Sequence, residues 1–163
     1  MTRPEIHSQF VSRFGHQAVS PHYTEADLRP VERRFGISFP TAYVAFMAAH
    51  GAVSSQSLLG LIVDSGAELH DLMEFIPAPE LIEVSESSWP AGMRSELIAF
   101  AMDCMGSYFC FLRADLLGER PDDAPVWFFD HDYCSDEQLF ESFDSWLASY
   151  FRLDDADSNT RNA

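Results

Sequence analysis

Two short apolar runs, Leu97 to Met102 and Tyr108 to Leu112, flank Asp103-Cys104-Met105-Gly106. Asp and Gly favour chain reversal, so the runs predict a β-hairpin. A third run, Val126-Trp127-Phe128-Phe129, carries large apolar groups on both faces, which predicts an interior strand antiparallel to that hairpin. Upstream the period changes. Leu28, Val31 and Phe35 recur at helical spacing, with Gly36 as the stop. Thr24 is an attractive cap, but a start there puts Pro30 beyond the first turn, so a start at Asp27 or a kink is expected. Pro40 is preset for the first position of a second helix, which carries Tyr43, Phe46 and Met47 on one face and stops at Gly51. The two helices form a helical hairpin.

Other stretches follow weaker signals. Ser57 to Val63 is short, apolar and bounded by turn residues, which favours a strand. Glu68 to Phe75 and Pro79 to Ser87 predict two short helices, the second ending ahead of Trp89-Pro90 because a residue before proline is pushed out of the helical region. Gly118 to Asp123 reads as a polar linker with turn residues. Ser135 with Gln138 three residues on is a capping-box pattern, and Asp136 and Glu137 suit the positive end of a helix. Leu139, Phe143, Trp146, Leu147 and Tyr150 then line one face, so a single last helix is predicted from Ser135 onward. The first dozen or so residues are weakly patterned. The expected organisation is an N-terminal extension over 1–20, one domain over 21–152 and a flexible acidic tail over 153–163.

Composition narrows the function classes. Hydrophobic residues make up 47% of the 163 and Phe alone contributes 14, which excludes a disordered chain despite the charge. Lys plus Arg total 10 against 26 Asp plus Glu, a net charge of −16 that repels phosphate backbones and anionic lipid surfaces. Neither nucleic acid nor a membrane is expected as a partner. Such a charge steers a chain toward a basic surface, or serves solubility alone. Every basic residue is Arg. No signal-peptide pattern or apolar membrane span is present, so a cytoplasmic protein is expected. Cys104, Cys110 and Cys134 are odd in number and lack a C-x-x-C spacing, which points to buried free thiols.

Candidate chemistry is sparse. Asp130-His131-Asp132 offers two carboxylates and an imidazole, but on an extended segment their side chains diverge, and no second cluster has the spacing to complete a metal site. A solvated strand-end loop is expected there, with no metal and no cofactor. With Asp136 and Glu137 the loop forms an acidic rim able to meet Arg or Lys of a partner. Tyr133 and Trp89 lie beside polar or proline punctuation and are candidate interface anchors. No phosphate-binding glycine loop or serine elbow is found, and no adjacent base marks a cysteine nucleophile, so no catalytic residue is assigned.

Three motifs taken in order resemble the SUKH superfamily, in particular its Smi/Knr branch of fungal cell-wall regulators and bacterial immunity proteins. The first is Val31-Glu32-Arg33-Arg34-Phe35-Gly36-Ile37, then Phe39-Pro40, Tyr43, Phe46 and His50-Gly51. The second is Asp103 to Phe111 around Gly106, and the third is the aromatic strand Val126 to Asp132, including Phe129, followed by Phe143, Trp146 and Leu147. The likeness covers about Thr24 to Phe151. Two positions depart from it: Ser107 stands where many members are acidic, and His50 where Asn is usual. The resemblance implies an α+β fold, a mostly antiparallel sheet of about four to six strands packed by helices. For bacterial members it also implies a non-enzymatic module that neutralises a toxin domain by direct binding, and the acidic charge suits a basic nuclease as that toxin. A regulatory scaffold of the Smi/Knr cell-wall type is the alternative.

Overall fold

Five antiparallel strands lie side by side in chain order: β1 (Glu74–Phe75), β2 (Leu97–Met102), β3 (Tyr108–Leu112), β4 (Val126–Asp130) and β5 (Ser135–Phe140). The computed structural model describes residues 1–16, 20–55 and 58–153. Its helices are α1 (Arg3–Phe14), α2 (Glu25–Phe35), α3 (Thr41–Ala49), α4 (Leu58–Ser65), α5 (Leu81–Ser88) and α6 (Phe143–Ser149), with 3₁₀ turns at Ala78–Glu80 and Arg113–Leu116. The fold is α+β, as expected. Among the described residues no helix is long and apolar enough to cross a membrane. Residues 154–163 of the acidic tail and Ser57, where the predicted strand begins, lie outside the described residues.

The β2–β3 hairpin forms where its apolar runs predict, with Leu97 opposite Leu112 and Met102 opposite Tyr108. Gly106 permits the reversal because its φ of 91° lies in a region that L side chains rarely adopt. Strand alternation then sorts the side chains. Phe109 and Phe128 pair across β3 and β4, on the face that receives α6. Cys110 and Trp127 pair on the other face, toward Met93 and Arg94. That second face is also covered by α5, whose buried Ser85 accepts the Ala99 N–H at 3.1 Å.

The first face holds the aromatic core. Phe143 of α6 meets the rings of Tyr43 and Phe46 from α3, Phe75 from β1, Phe100 from β2 and Phe111 from β3, all within 6.3 Å. Trp146 adds contacts to Phe100 and Phe109. Gly51 closes α3 where its missing Cβ matters, since one there would sit 2.1 Å from the Pro21 carbonyl oxygen. His50, at the position where the resemblance has Asn, packs its ring 5.4 Å from Phe46.

Several local expectations give way to tertiary packing. Leu58 to Val63 belongs to helix α4 and not to a strand: Leu58 and Ile62, one helical turn apart, are its buried residues, and Leu59, Leu61 and Val63 face solvent. Glu68 to Phe75 is not a helix either. It runs as an irregular strap that ends in β1, where Glu74 pairs with Met102 and Phe75 with Ala101. The predicted last helix is two elements. Ser135 to Phe140 forms β5, because the far edge of β4 needs a hydrogen-bonding partner, and α6 starts only after Ser142. Asp136 and Glu137 therefore sit on a strand, and the Ser135–Gln138 capping pattern goes unused.

Helix starts are also corrected. α2 begins after Thr24, not at Asp27, because the Asp27 carboxylate accepts both the Thr24 N–H at 2.7 Å and its hydroxyl at 3.0 Å. Pro30 is carried inside the helix. Pro40 is the residue before α3 and not its first position. Residues 3–14, weakly patterned in sequence, form α1, because two polar residues of that helix find partners far along the chain. His7 meets Asp144 at 2.8 Å, and Arg3 reaches Asp122 and Asp144, each at 2.7 Å.

Candidate functional site

The β4–β5 turn carries most of the candidate interface residues. Asp130 ends β4, Ser135 opens β5 and the two pair across the ladder, so residues 131–134 form the exposed tip. The tip is held by its own polar groups. Asp130 Oδ1 accepts the N–H groups of Asp132 at 2.9 Å and Tyr133 at 3.3 Å. Ser107 Oγ accepts the His131 N–H at 3.2 Å and lies 3.2 Å from His131 Nδ1. Ser107, the position that departs from the family's acidic residue, thus ties the turn to the β2–β3 hairpin.

Within this frame the side chains of Tyr133, Asp132 and Glu137 are exposed to a partner. Tyr133 is 82% exposed, and the Asp132 and Glu137 side chains are 66% and 69% exposed. Asp136 belongs to the same acidic end but is already engaged by Arg94, which donates to both its oxygens at 2.9 and 2.7 Å. Trp89 is placed differently. It is half-buried, donates its indole N–H to the Leu97 carbonyl at 3.0 Å and packs against Phe35 and Arg113. The structure therefore brings Asp130 to Glu137 together and turns Trp89 toward α2.

Asp130, His131 and Asp132 converge as a turn does and do not diverge as on an extended segment: their ligand-capable atoms lie within 4.8 Å of one another. The group could offer three donors. One Asp130 oxygen already caps two backbone N–H groups, and the His131 ring faces Ser107 on one side and Asp132, at 3.2 Å, on the other. Three surface donors so engaged fall short of the four of a structural zinc site or the six or more of calcium. Only Cys110 is buried, so the expectation of three buried thiols is corrected: Cys104 and Cys134 are exposed. Burial pushes the Cys110 thiol far up, and the hydrogen bond with Asp71 raises Cys104, so neither is poised as a thiolate.

Sequence reasoning missed a hollow beside this turn. Residues 66–73 cross the sheet face as a strap, pinned where the Tyr150 hydroxyl donates to the His70 carbonyl at 2.9 Å and the His70 ring stacks on Phe128 at 3.8 Å. Between the strap, β5 and α6 lies a cavity of about 390 Å³. Phe109, Trp146 and Tyr150 form its buried floor. Leu69, Leu139 and Phe140 form half-buried walls, and Glu68, His70 and Glu137 surround the mouth. No local motif signals it, because its lining comes from four separate stretches of chain. The family's structural positions Pro40, Tyr43, Gly51, Gly106, Phe129, Phe143 and Trp146 serve helix ends, the hairpin turn, strand β4 and the core beneath.

No curated protein matches the chain. The SMI1 / KNR4 family (SUKH-1) does match, over residues 22–149, a span from just ahead of α2 to the end of α6 that includes the turn and every residue lining the cavity except Tyr150. The chain belongs to that family.

Proposed function

We propose that this chain is a non-enzymatic protein-binding module, a cytoplasmic bacterial immunity protein that neutralises a basic toxin domain, such as a nuclease, by covering it. The observation that carries this is the β4–β5 turn: an exposed tyrosine on a braced tip, flanked by carboxylates that no arginine neutralises among the described residues. Aromatic anchors of this kind dominate interface energies, and like-signed carboxylates around one speed encounter with a basic surface. A net charge of −16 extends the same field over the whole molecule. A partner that neutralises phosphate groups in its own substrate would meet a comparable charge here.

Co-expression with the toxin domain encoded by an adjacent gene, followed by co-purification, tests the proposal. A one-to-one complex that abolishes toxicity is expected, tightest at low salt. Tyr133→Ala should weaken it by about tenfold or more, with slower loss of affinity from Glu137→Gln. Absence of a complex with that product, or toxicity undiminished in its presence, rejects the immunity role. A complex equally tight at low and high salt rejects the electrostatic part alone.

A further inference from the structure

The cavity beside the turn is built for more than filling space. Its floor is core, its strap is fixed at both the Tyr150 and Phe128 contacts, and its mouth carries two exposed glutamates, so the opening is held by rigid elements. Beyond the His70 ring lies a second hollow of about 300 Å³, which includes Asp130, Ser135 and Asp136 and shares His70 and Glu137 with the first. An apolar hole and an acidic one thus have a common wall. Of the acids around the two hollows, Asp136 is already held by Arg94, and Glu137 on the shared wall lies 3.8 Å from His70 with no arginine partner among the described residues.

We propose that the first cavity takes an aromatic or branched aliphatic side chain of a protein partner, while an Arg or Lys next to it in the partner's chain meets Glu137 and Glu68. The proposal rests on the reading of this chain as a protein-binding module and names the feature the partner must present. Size and charge select this occupant. A volume of about 390 Å³ is at the small end of ligand pockets, which suits a side chain better than a cofactor. An uncharged apolar molecule would leave both glutamates without a counter-charge. An acidic segment, or a second copy of this chain, would bring like charge against a net −16.

The probe is acetyl-Gly-Phe-Arg-Gly-amide, titrated into the full chain while the Trp146 indole and Leu139 methyl NMR signals are followed. Saturable shifts at both residues are expected. Replacing Phe by Ala or Arg by Glu in the peptide should weaken binding by at least about fivefold. Leu139→Trp, which fills the cavity, should abolish the Trp146 indole shift, and the double variant Glu68→Arg, Glu137→Arg, confined to exposed positions, should weaken binding by at least about fivefold while leaving the fold intact. Shifts confined to other residues, equal binding of all three peptides, or indole alone binding as tightly as the first peptide would overturn the proposal. A toxin complex unaffected by Leu139→Trp also overturns it and leaves the immunity reading standing. Peptide binding without any toxin complex supports the cavity and removes the toxin.

Discussion

Phe143 and Tyr133 are aromatic residues on neighbouring elements with opposite surroundings. Phe143 is fully enclosed by rings from α3, β1, β2, β3 and α6, whereas Tyr133 is 82% exposed on a turn braced without it. The enclosed ring does its work in folding. The exposed one has almost no folding role, because Asp130 and Ser107 fix the turn through backbone N–H groups. A group that stability does not require is free to be selected for binding, and the difference between the two sites can be measured.

The largest effect belongs to the core. Phe143→Ala should cost about 3–5 kcal/mol in denaturant unfolding, since it opens a cavity among close-packed rings. A loss under about 1 kcal/mol would mean that the ring cluster collapses around the gap and that enclosure is not what sets Phe143 apart.

Next comes the polar frame under the same helix. The Asp123 carboxylate accepts the N–H groups of Phe143 at 2.7 Å and Asp144 at 3.2 Å, so it caps α6 from outside the helix. Asp123→Asn should cost about 1–2 kcal/mol by the same measurement. An unchanged midpoint would show that Ser142, whose hydroxyl accepts the Ser145 N–H, caps the helix unaided.

A smaller effect is expected from pH. Burial holds the His7 imidazole below its ordinary value of 6.5, with Asp144 pulling upward and Arg3 adding to the depression. His50 is lowered too, first by burial and then by His7 and His22. The unfolded chain therefore takes up protons that the folded one resists, so both groups make stability fall as pH drops through the unfolded imidazole range. Between about pH 7 and about pH 5 the wild type should lose more stability than His7→Gln, measured as a difference of differences so that relief of the overall negative charge cancels. Equal losses would mean that Asp144 cancels the effect of burial, and a smaller loss in the wild type would mean that Asp144 outweighs burial and His7 is protonated in the folded state.

The smallest stability effects are predicted at the turn. Tyr133→Ala and Glu137→Gln should each stay within about 0.5 kcal/mol of the wild type in unfolding, even where partner binding is lost. A destabilisation comparable to that of Asp123→Asn would give Tyr133 a structural role and erase the contrast with Phe143.

The site was legible in part. Tyr133 and the carboxylates of Asp130 and Asp132 stand out in sequence because polar residues after an apolar strand mark a solvated turn, whereas Glu137 was expected on a helix and sits on β5. Trp89 has the same kind of punctuation but folds back on Phe35, a contact with a residue far upstream that no local signal carries. The cavity was not legible at all, since residues 68–70, 109, 137–140 and 146–150 become neighbours only when the strap and α6 settle on the sheet.

Sequence by itself determined the elements whose local signals agree: the β2–β3 hairpin with its glycine turn, the two-faced apolar strand β4, helix α3 with its stop, and the apolar face of α6. Tertiary structure decided the rest. It made 58–65 a helix and 135–140 a strand, and it gave α1 its polar anchors. The reason is physical: a short apolar or polar run stabilises helix and strand almost equally, so the choice falls to whichever form satisfies backbone groups and buries side chains against distant parts of the chain.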